Sequence, residues 1–317
     1  MCNCDNLFRD FNSNLKINKS KRDALYASDE FARNAIRDFF KKNHNQYVPI
    51  FKRQGSSETK SRIRTKDDFC DQDDGVYFKK NPENVTGTTL QRWVKQAVDG
   101  ITDASPSHRK KCITLEYKAG YSIDFPVFLY DEETEDHPKL AVKDSEFVED
   151  DPKEFIEEFN KRKDSGGQLI RITRYLKAWC DFKREKMPSG ISMTVLAMNN
   201  IQFNERDDVA MKFTLIAIEQ VLKRDFSCFM PSTPYDDLFM DYEEQRQSNF
   251  LDNLASFIED AKRAVDEEKN QLKSSKLWQS HFGTIYFPSG KDEDEKLMSK
   301  ASIDSVIGNS KPYIEKR

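Results

Sequence analysis

Two aspartates, two residues apart, are the first candidates for chemistry in this chain. Asp71 and Asp73 lie in CDQDDGVYF, a segment that predicts a strand over residues 71–78. Alternate side chains on a strand point to the same face, so these two carboxylates lie side by side. Neighbouring carboxylates repel each other, and a divalent cation removes that conflict while also binding phosphate oxygens. The pattern indicates metal-assisted phosphoryl transfer; its alternative is a solvated turn beside Gly75.

A third carboxylate, Asp124, interrupts the apolar segment YSIDFPVF. Ile123 and Phe125 point to one side of that predicted strand, so Asp124 points to the other. An acid in an otherwise apolar strand needs a partner or a metal. If the two strands are neighbours, all three acids share one face, where two Mg²⁺ ions could clamp a phosphoryl group and Mn²⁺ could replace them.

The segment QGSSE places three further polar or flexible residues, Gln54, Gly55 and Ser56, before the first aspartate. Gly55 allows a tight turn and a close approach of the backbone. The serine hydroxyls and amides offer hydrogen bonds, and a helix beginning here would direct free N–H groups at a triphosphate. The alternative is a plain Gly-Ser turn.

The apolar periodicity divides the chain into a mixed front half and a helical back half. Between the two halves a cleft is the natural site for a ligand. Alternating residues predict strands, and residues recurring at helical spacing predict helices. The predicted strands are near 47–52, 71–78, 113–117 and 121–127, and the predicted helices are 24–41, 88–100, one around Phe155 and Phe159, one from 168, 190–200, 208–224 and one through Phe250 and Val265.

Composition limits the classes of partner. The chain has 317 residues, a net charge of −4 and a pI of about 5.8, which favours small substrates over long polyanions. Its six cysteines and four histidines show no zinc-ligand spacing and fit a reducing compartment. No segment is typical of a signal peptide or a membrane span, so we expect a soluble, cytoplasmic protein.

Together these motifs carry a family resemblance. Gly55-Ser56, Asp71-x-Asp73 and a later Asp124 resemble the DNA polymerase β nucleotidyltransferase superfamily. QGS, DQDDGVYF and IDFPVFLY are most similar to the cGAS/DncV-like nucleotidyltransferases, bacterial synthases of cyclic oligonucleotides in anti-phage (CBASS) signalling. RYLKAWCDFKREKMPSGISMTVL resembles the segment in which that family and oligoadenylate synthetase hold the triphosphate with a Lys and a Ser.

The resemblance implies an α+β fold with two lobes. A polymerase β-like core with a mixed sheet would be followed by a helical domain of oligoadenylate-synthetase type. The implied divisions are an N-terminal helical segment, 1–45, that packs across the lobes, a nucleotidyltransferase core, 46–150, and a C-terminal helical domain, 151–317.

The resemblance also implies roles for single residues. Asp71, Asp73 and Asp124 would bind the metals, and Asp124 would help to deprotonate the attacking hydroxyl, whereas Asp74 lies on the other face. Gln54, Gly55 and Ser56 would cradle the donor triphosphate. Lys177 would hold its phosphates or be a solvated residue on an amphipathic helix, and Ser189 would bind the triphosphate, cap a helix, or do both.

The implied activity is template-independent joining of ATP- or GTP-type triphosphates into a cyclic di- or trinucleotide that activates an effector protein. Nothing matches the zinc module of the DNA-sensing animal enzymes, so activation by duplex nucleic acid is not implied. The end IEKR puts conjugation through a small C-terminal residue in doubt. The alternatives are an RNA-tailing enzyme, a small-molecule nucleotidyltransferase and an inactive nucleotide-binding protein. Four basic residues are expected to be solvated on the surface, with lining of the cleft as the alternative: Lys60, Arg62, Arg64 and Lys66.

Overall fold

A mixed β-sheet forms the front lobe of the computed structural model, which describes residues 2–292. Its strands are β1 (Pro49–Gln54), β2 (Cys70–Phe78), β3 (Ser107–His108), β4 (Cys112–Tyr117), β5 (Tyr121–Leu129), β6 (Lys139–Leu140) and β7 (Val148–Glu149). The main order is β1-β2-β5-β4-β3, and β6 pairs with both β5 and β7.

The two longest strands, β2 and β5, lie side by side and run parallel. Their register pairs Asp73 with Asp124 and Val76 with Val127. Paired residues of neighbouring strands point to the same face of a sheet, so this register decides which side chains meet. β1 pairs with β2 and β4 with β5, both antiparallel, so that β2 and β5 are the centre of the sheet.

Helices cover the sheet and build the second lobe. Several begin at side-chain caps, such as Asn18, which accepts from the Lys21 amide at 2.8 Å, and Asp151, which accepts from the Lys153 and Glu154 amides. The helices are α1 (Asp5–Asn14), α2 (Lys19–Asn43), α3 (Gly87–Ala97), α4 (Pro152–Arg162), α5 (Gln168–Lys183), α6 (Gly190–Asn200), α7 (Asp207–Arg224), α8 (Glu244–Lys262), continued by a π turn (Arg263–Glu267), and α9 (Gln271–Phe282).

Each lobe has its own large hydrophobic cluster. In the front lobe, Leu25 and Phe40 of α2 and Leu90 of α3 pack with the sheet residues Val76 and Phe125. Each of these five side chains is fully buried, so α2 and α3 are held by the apolar face of the sheet.

The helical lobe includes α1, although α1 comes from the other end of the chain. The Phe8 ring lies 4.8 Å from Trp278 and 5.1 Å from Tyr175, in edge-on contacts typical of aromatic cores. The Tyr175 hydroxyl also donates to the Phe8 carbonyl at 2.7 Å. The first two helices therefore contribute to different clusters, α1 to the helical lobe and α2 to the sheet.

The predicted α+β class is confirmed, and the predicted strands and helices all occur, with ends displaced by a few residues. The helix predicted over 24–41 lies inside a longer α2, which begins at Lys19. α1 lies inside the helical segment expected over 1–45 but was not predicted as a separate helix, and α9 was missed. Both are short, and contacts with distant residues hold them, such as that of Phe8 with Trp278.

The division at 1–45, 46–150 and 151–317 stays a prediction, and residues 293–317, including the end IEKR, lie outside the described residues. None of the helices described between residues 2 and 292 combines the length and hydropathy required to cross a membrane.

Candidate active site

The three predicted acids meet on one face of the sheet. Asp73 lies directly across from Asp124 in the β2–β5 register, and Asp71 lies two residues before it on β2. All three line a cavity of about 500 Å³ between the lobes. Alternation along β2 and the adjacency of β2 and β5 thus bring together a carboxylate set from two segments far apart in sequence.

Burial and mutual repulsion act on these acids. Burial, together with the charges of Asp71 and Asp124, raises the pKa of Asp73 to about 7. The pKa of Asp124 is also raised by burial, although the Thr114 hydroxyl donates to its carboxylate and opposes the shift. Asp73 forms no ion pair with the described part of the chain, and the charges of Lys177 and Arg62 oppose the rise of its pKa only in part.

The donor set fits divalent cations. Hard cations such as Mg²⁺ prefer carboxylate oxygens, and a cation would relieve the repulsion that raises the Asp73 pKa. In two-metal sites for phosphoryl transfer, the ions lie about 3.5–4 Å apart.

A second polar group, His137, Asp151 and Glu154, does place its atoms within 4.8 Å of one another. Its oxygens are already used, however. Asp151 caps α4 and accepts from Nδ1 of His137 at 3.0 Å, and Glu154 accepts from Thr233 at 2.8 and 2.9 Å. This group therefore ties the front lobe to the loop after α7, and we assign it a structural role.

Gly55 and Ser56 lie against the carboxylates. Gly55 has a positive φ of 63°, and a Cβ atom there would lie 2.2 Å from Oδ2 of Asp73, so only glycine fits. The Ser56 hydroxyl oxygen is buried and has no hydrogen-bond partner in the described part of the chain. The chain turns after Gly55, with Thr59 N–H donating to its carbonyl at 3.2 Å, and forms no helix there. An unpaired buried hydroxyl beside three acids indicates a polar ligand.

Gln54 is positioned by its neighbours. Its side-chain oxygen accepts from the Tyr77 hydroxyl at 3.3 Å, and both side chains press against Gly75. A Cβ at Gly75 would lie 2.6 Å from the Tyr77 ring, so the glycine makes room for this pair. Gln54 lines the cavity at the end of β1.

Lys177 reaches the same cavity from α5 in the other lobe. Its ammonium donates to the Ser61 hydroxyl at 3.1 Å. Burial lowers its pKa to about 8, and the charges of Asp71 and Asp73 oppose that shift. The ammonium is therefore close enough to the acids to act on a ligand that they hold, which favours its phosphate-binding interpretation over that of a solvated residue.

Ser189 is placed differently. Its side chain accepts from the Ser192 amide at 3.2 Å and so caps α6, which is the alternative given by the sequence. It lines neither of the two cavities described here, whereas its neighbour Gly190 lines both. The triphosphate role of Ser189 stays a prediction.

A second cavity, of about 760 Å³, adjoins the first at Asp71 and Asp124 and was not predicted. It shares Ser56, Asp71, Asp124 and Lys177 with the first cavity and adds three arginines. The Arg62 guanidinium donates to Gln72, but its Nε is buried without a partner in the described residues. The three arginines come from separate segments, and they are Arg62, Arg109 and Arg184.

Of the four basic residues near position 60, only Arg62 lines a cavity. Arg64 packs on the Tyr286 ring and donates to the Asn14 carbonyl at 2.7 Å. The Lys66 amide donates to Asp181 at 2.5 Å, so this loop is fastened to the helical lobe.

Comparison with known proteins gives this arrangement a context. Residues 49–128 match the nucleotidyltransferase domain described as "Cyclic GMP-AMP synthase DncV-like". The chain is 24% identical over 286 residues to a cyclic GMP-AMP synthase of Escherichia albertii, covering 81% of this chain and 57% of that protein. The chain thus spans little more than half the length of this curated relative.

Two solved structures show the same fold. A crystal structure of the Vibrio cholerae DncV cyclic AMP-GMP synthase superposes with a TM-score of 0.77 at 17% identity, covering 90% of this chain and 97% of that one. The Bradyrhizobium diazoefficiens CD-NTase CdnG in complex with GTP gives a TM-score of 0.73 at 13% identity, covering 89% and 96%. At these identities the likeness concerns the fold.

Proposed function

We propose that the protein joins nucleoside triphosphates into a cyclic di- or trinucleotide without a template, because residues 49–128 match the DncV-like nucleotidyltransferase domain. The observation that carries this proposal is the pair of cavities that share Asp71 and Asp124. Joining two nucleotides needs a donor and an acceptor on opposite sides of one set of acids. Two adjoining cavities provide that arrangement.

The proposed donor triphosphate lies beside Gly55 and Ser56. The Ser56 hydroxyl would gain its missing partner from a phosphate oxygen, and the missing Cβ at Gly55 leaves room for that approach. Lys177 would bind the phosphates as a point charge from the opposite lobe. Gln54 borders the same cavity at the end of β1 and offers an amide N–H.

Asp71, Asp73 and Asp124 would hold Mg²⁺, two ions as in two-metal phosphoryl-transfer sites, with Mn²⁺ as a substitute. When bound, the ions would neutralise the carboxylates and stabilise charge on the transferring phosphate. The acceptor hydroxyl oxygen forms a bond to the α-phosphorus of the donor, and the bond from that phosphorus to the pyrophosphate oxygen breaks. The hydroxyl proton passes to Asp124, which borders both cavities, and pyrophosphate leaves.

The cavities also suggest why the product would be cyclic. The first transfer yields a linear product that keeps one triphosphate. If that product turns so that its triphosphate becomes the donor, the same three acids perform each later step. The described residues hold one such set of acids between the lobes, which fits repeated use of one centre.

The biological role proposed is that of a second-messenger synthase. GTP is bound by the CdnG relative, and we propose GTP- or ATP-type triphosphates as substrates here. The product would activate a downstream effector protein in anti-phage defence. The proposal includes a cytoplasmic location and no stable complex with duplex nucleic acid.

Product analysis tests the proposal. The purified protein is incubated with Mg²⁺ and each pair of labelled triphosphates, and the products are treated with phosphatase and identified by mass. We expect a phosphatase-resistant product from at least one pair and none from Asp71→Asn. A wholly phosphatase-sensitive product would contradict cyclisation. Activity only with an RNA primer would indicate a tailing enzyme, and labelling only of an added small molecule would indicate a small-molecule nucleotidyltransferase.

A further inference from the structure

The first cavity extends well beyond the acids along the surface of the sheet. Asp124, Pro126 and Phe128 alternate on the same face of β5 and all line it. At a strand rise of about 3.3 Å per residue, Phe128 lies about 13 Å from Asp124. A nucleotide whose phosphates lie at the acids would reach this far end with its base.

The far end is closed by residues from two separate segments. Asp150 follows β7 in the front lobe, and Ser232 belongs to the loop between α7 and α8. Apolar side chains form the walls, with the Phe128 ring stacked on Tyr77 at 4.6 Å and Leu238 on the opposing loop. Apolar walls with a few polar groups at one end suit a flat heteroaromatic ring.

The Ser232 hydroxyl lacks a partner in the described part of the chain, and the Asp150 carboxylate has only one long ion pair there. The Ser232 side chain is 1% exposed, and its hydroxyl has no hydrogen bond there. The Asp150 carboxylate accepts none from those residues either, and the nearest cation, Lys111, is 4.0 Å away and mostly exposed. Burial, together with the charges of Asp236 and Asp151, raises the pKa of Asp150 to about 6, and Lys111 opposes the shift. Buried polar groups are normally paired, so the Ser232 hydroxyl is placed for a ligand. The Asp150 carboxylate, 28% exposed, lines the same cavity and can accept hydrogen bonds from that ligand.

The loop that carries Ser232 is held in place independently. Its neighbour Thr233 donates to Glu154 from both the amide, at 2.8 Å, and the hydroxyl, at 2.9 Å. Tyr235 donates to the same carboxylate at 2.7 Å. The position of Ser232 is therefore fixed before any ligand binds, as expected of a residue that selects between ligands.

We propose that Asp150 and Ser232 recognise the nucleobase and that the base they select is guanine. This inference rests on the proposed function, because that proposal places the triphosphate of the nucleotide at the three acids. An ionised carboxylate only accepts hydrogen bonds. Guanine presents two adjacent donors, N1–H and N2–H₂, that match its two oxygens, whereas adenine presents one donor beside an acceptor. The Ser232 hydroxyl can donate to guanine O6 or N7.

Equilibrium binding separates this inference from the proposed function. GTP, ATP and inosine triphosphate, which lacks the N2 amino group, are titrated into the full chain without turnover, and product formation is measured in parallel. We expect GTP to bind about tenfold or more tightly than ATP and inosine triphosphate, because each paired base contact contributes about 1–3 kcal/mol of discrimination.

Variants assign the selectivity to its residues. In Asp150→Asn the GTP preference should be lost or reversed, because an amide matches the donor and acceptor of adenine. Ser232→Ala should weaken GTP binding less. Glu149→Gln, an exposed neighbour on β7, is the matched control and should bind like the wild type. Thermal melting of each variant checks that the fold is intact.

The outcomes are distinct. Guanine selectivity that depends on Asp150, without any oligonucleotide product, would support base recognition while the proposed function fails. Product formation with an unchanged base preference in Asp150→Asn would overturn the inference and leave the function standing. Selective binding of ATP or of a pyrimidine triphosphate by the wild type would also overturn it.

Discussion

Asp73 and Asp74 are consecutive residues of β2, and the two faces of the sheet treat them in opposite ways. Asp74 accepts two hydrogen bonds from Arg33, both at 2.6 Å, and Arg33 also approaches Asp29 at 3.8 Å. Asp73 has no ion pair in the described part of the chain. The cavity face thus leaves its acid for a ligand to neutralise, whereas the α2 face neutralises its acid within the protein.

The comparison separates acids that serve function from acids that serve stability. The same strand supplies both, and only alternation distinguishes them, as the sequence predicted for Asp74. Asp29, fully buried on α2, resembles Asp74 because an arginine of the protein neutralises it: Arg53 donates to it at 2.9 and 3.0 Å. An unpaired acid at a cavity is therefore the informative signal.

The largest effect should come from neutralising the cavity acid. In Asp73→Asn, nucleotide transfer should fall by about a thousandfold or more, because an amide cannot replace the charge that holds the cations. The measurement is product formed per folded protein under saturating triphosphate. Asp74→Asn is the matched control and should lose stability instead. Near-wild-type turnover by Asp73→Asn would contradict the assignment of Asp73 as a metal-binding residue.

Removing Arg33, the cation that neutralises Asp74 on the α2 face of the sheet, should lower stability. Arg33→Met leaves Asp74 buried without its partner, so the free energy of unfolding should fall by about 3 kcal/mol. Urea unfolding measures the change. Replacing Asp74 by Leu in the same chain should restore most of it. If Arg33→Met instead abolished transfer in the folded protein, the division between the two faces would be wrong.

A smaller change is expected from Lys177→Ala, because Lys177 compensates the acids only from across the cavity. The apparent KM for the donor should rise about tenfold if the phosphate contact is equal in ground and transition states. A contact that tightens during transfer would lower kcat instead. Lys183→Ala, on the same helix but outside both cavities, is the control. No change in either parameter would contradict the phosphate-binding role of Lys177.

The smallest effect concerns pH. The folded-state pKa of Asp73, about 7, is raised above its ordinary value of 3.8, so the folded protein holds a proton that the unfolded chain has lost. Its contribution to stability is full below about pH 3.8 and disappears as pH rises through about 7. Without divalent cations, the melting temperature should fall less between pH 5 and 8 in Asp73→Asn than in the wild type, by a few degrees. Identical slopes would contradict the raised pKa.

Local patterns in the sequence predict much of this site. Alternation in β2 places Asp71 and Asp73 on one face of the sheet and Asp74 on the other. Gly55 predicts a close approach of the backbone, and in the structure Asp73 lies against it. These predictions succeed because alternation and glycine geometry depend on a few neighbouring residues.

Contacts between distant segments are harder to predict. Arg109, Asp150 and Ser232 reach the cavities from segments with no motif of their own, and each is an ordinary polar residue in the sequence. Likewise, α1 is stabilised by the contacts of Phe8 with Tyr175 and Trp278, which lie on distant helices, rather than by contacts within α1. Such placements depend on tertiary packing, which single-sequence periodicity does not contain.

The parallel pairing of β2 with β5 has a consequence for how the chain folds. Parallel neighbours cannot be joined by a tight turn, and here the connection includes α3, β3 and β4. Asp73 and Asp124 therefore face each other only after a long loop has closed, and the entropy of that closure opposes their meeting. Contacts of this kind slow folding relative to local ones. A ribosome-bound chain that ends before β5 would hold Asp71 and Asp73 but no complete set of acids.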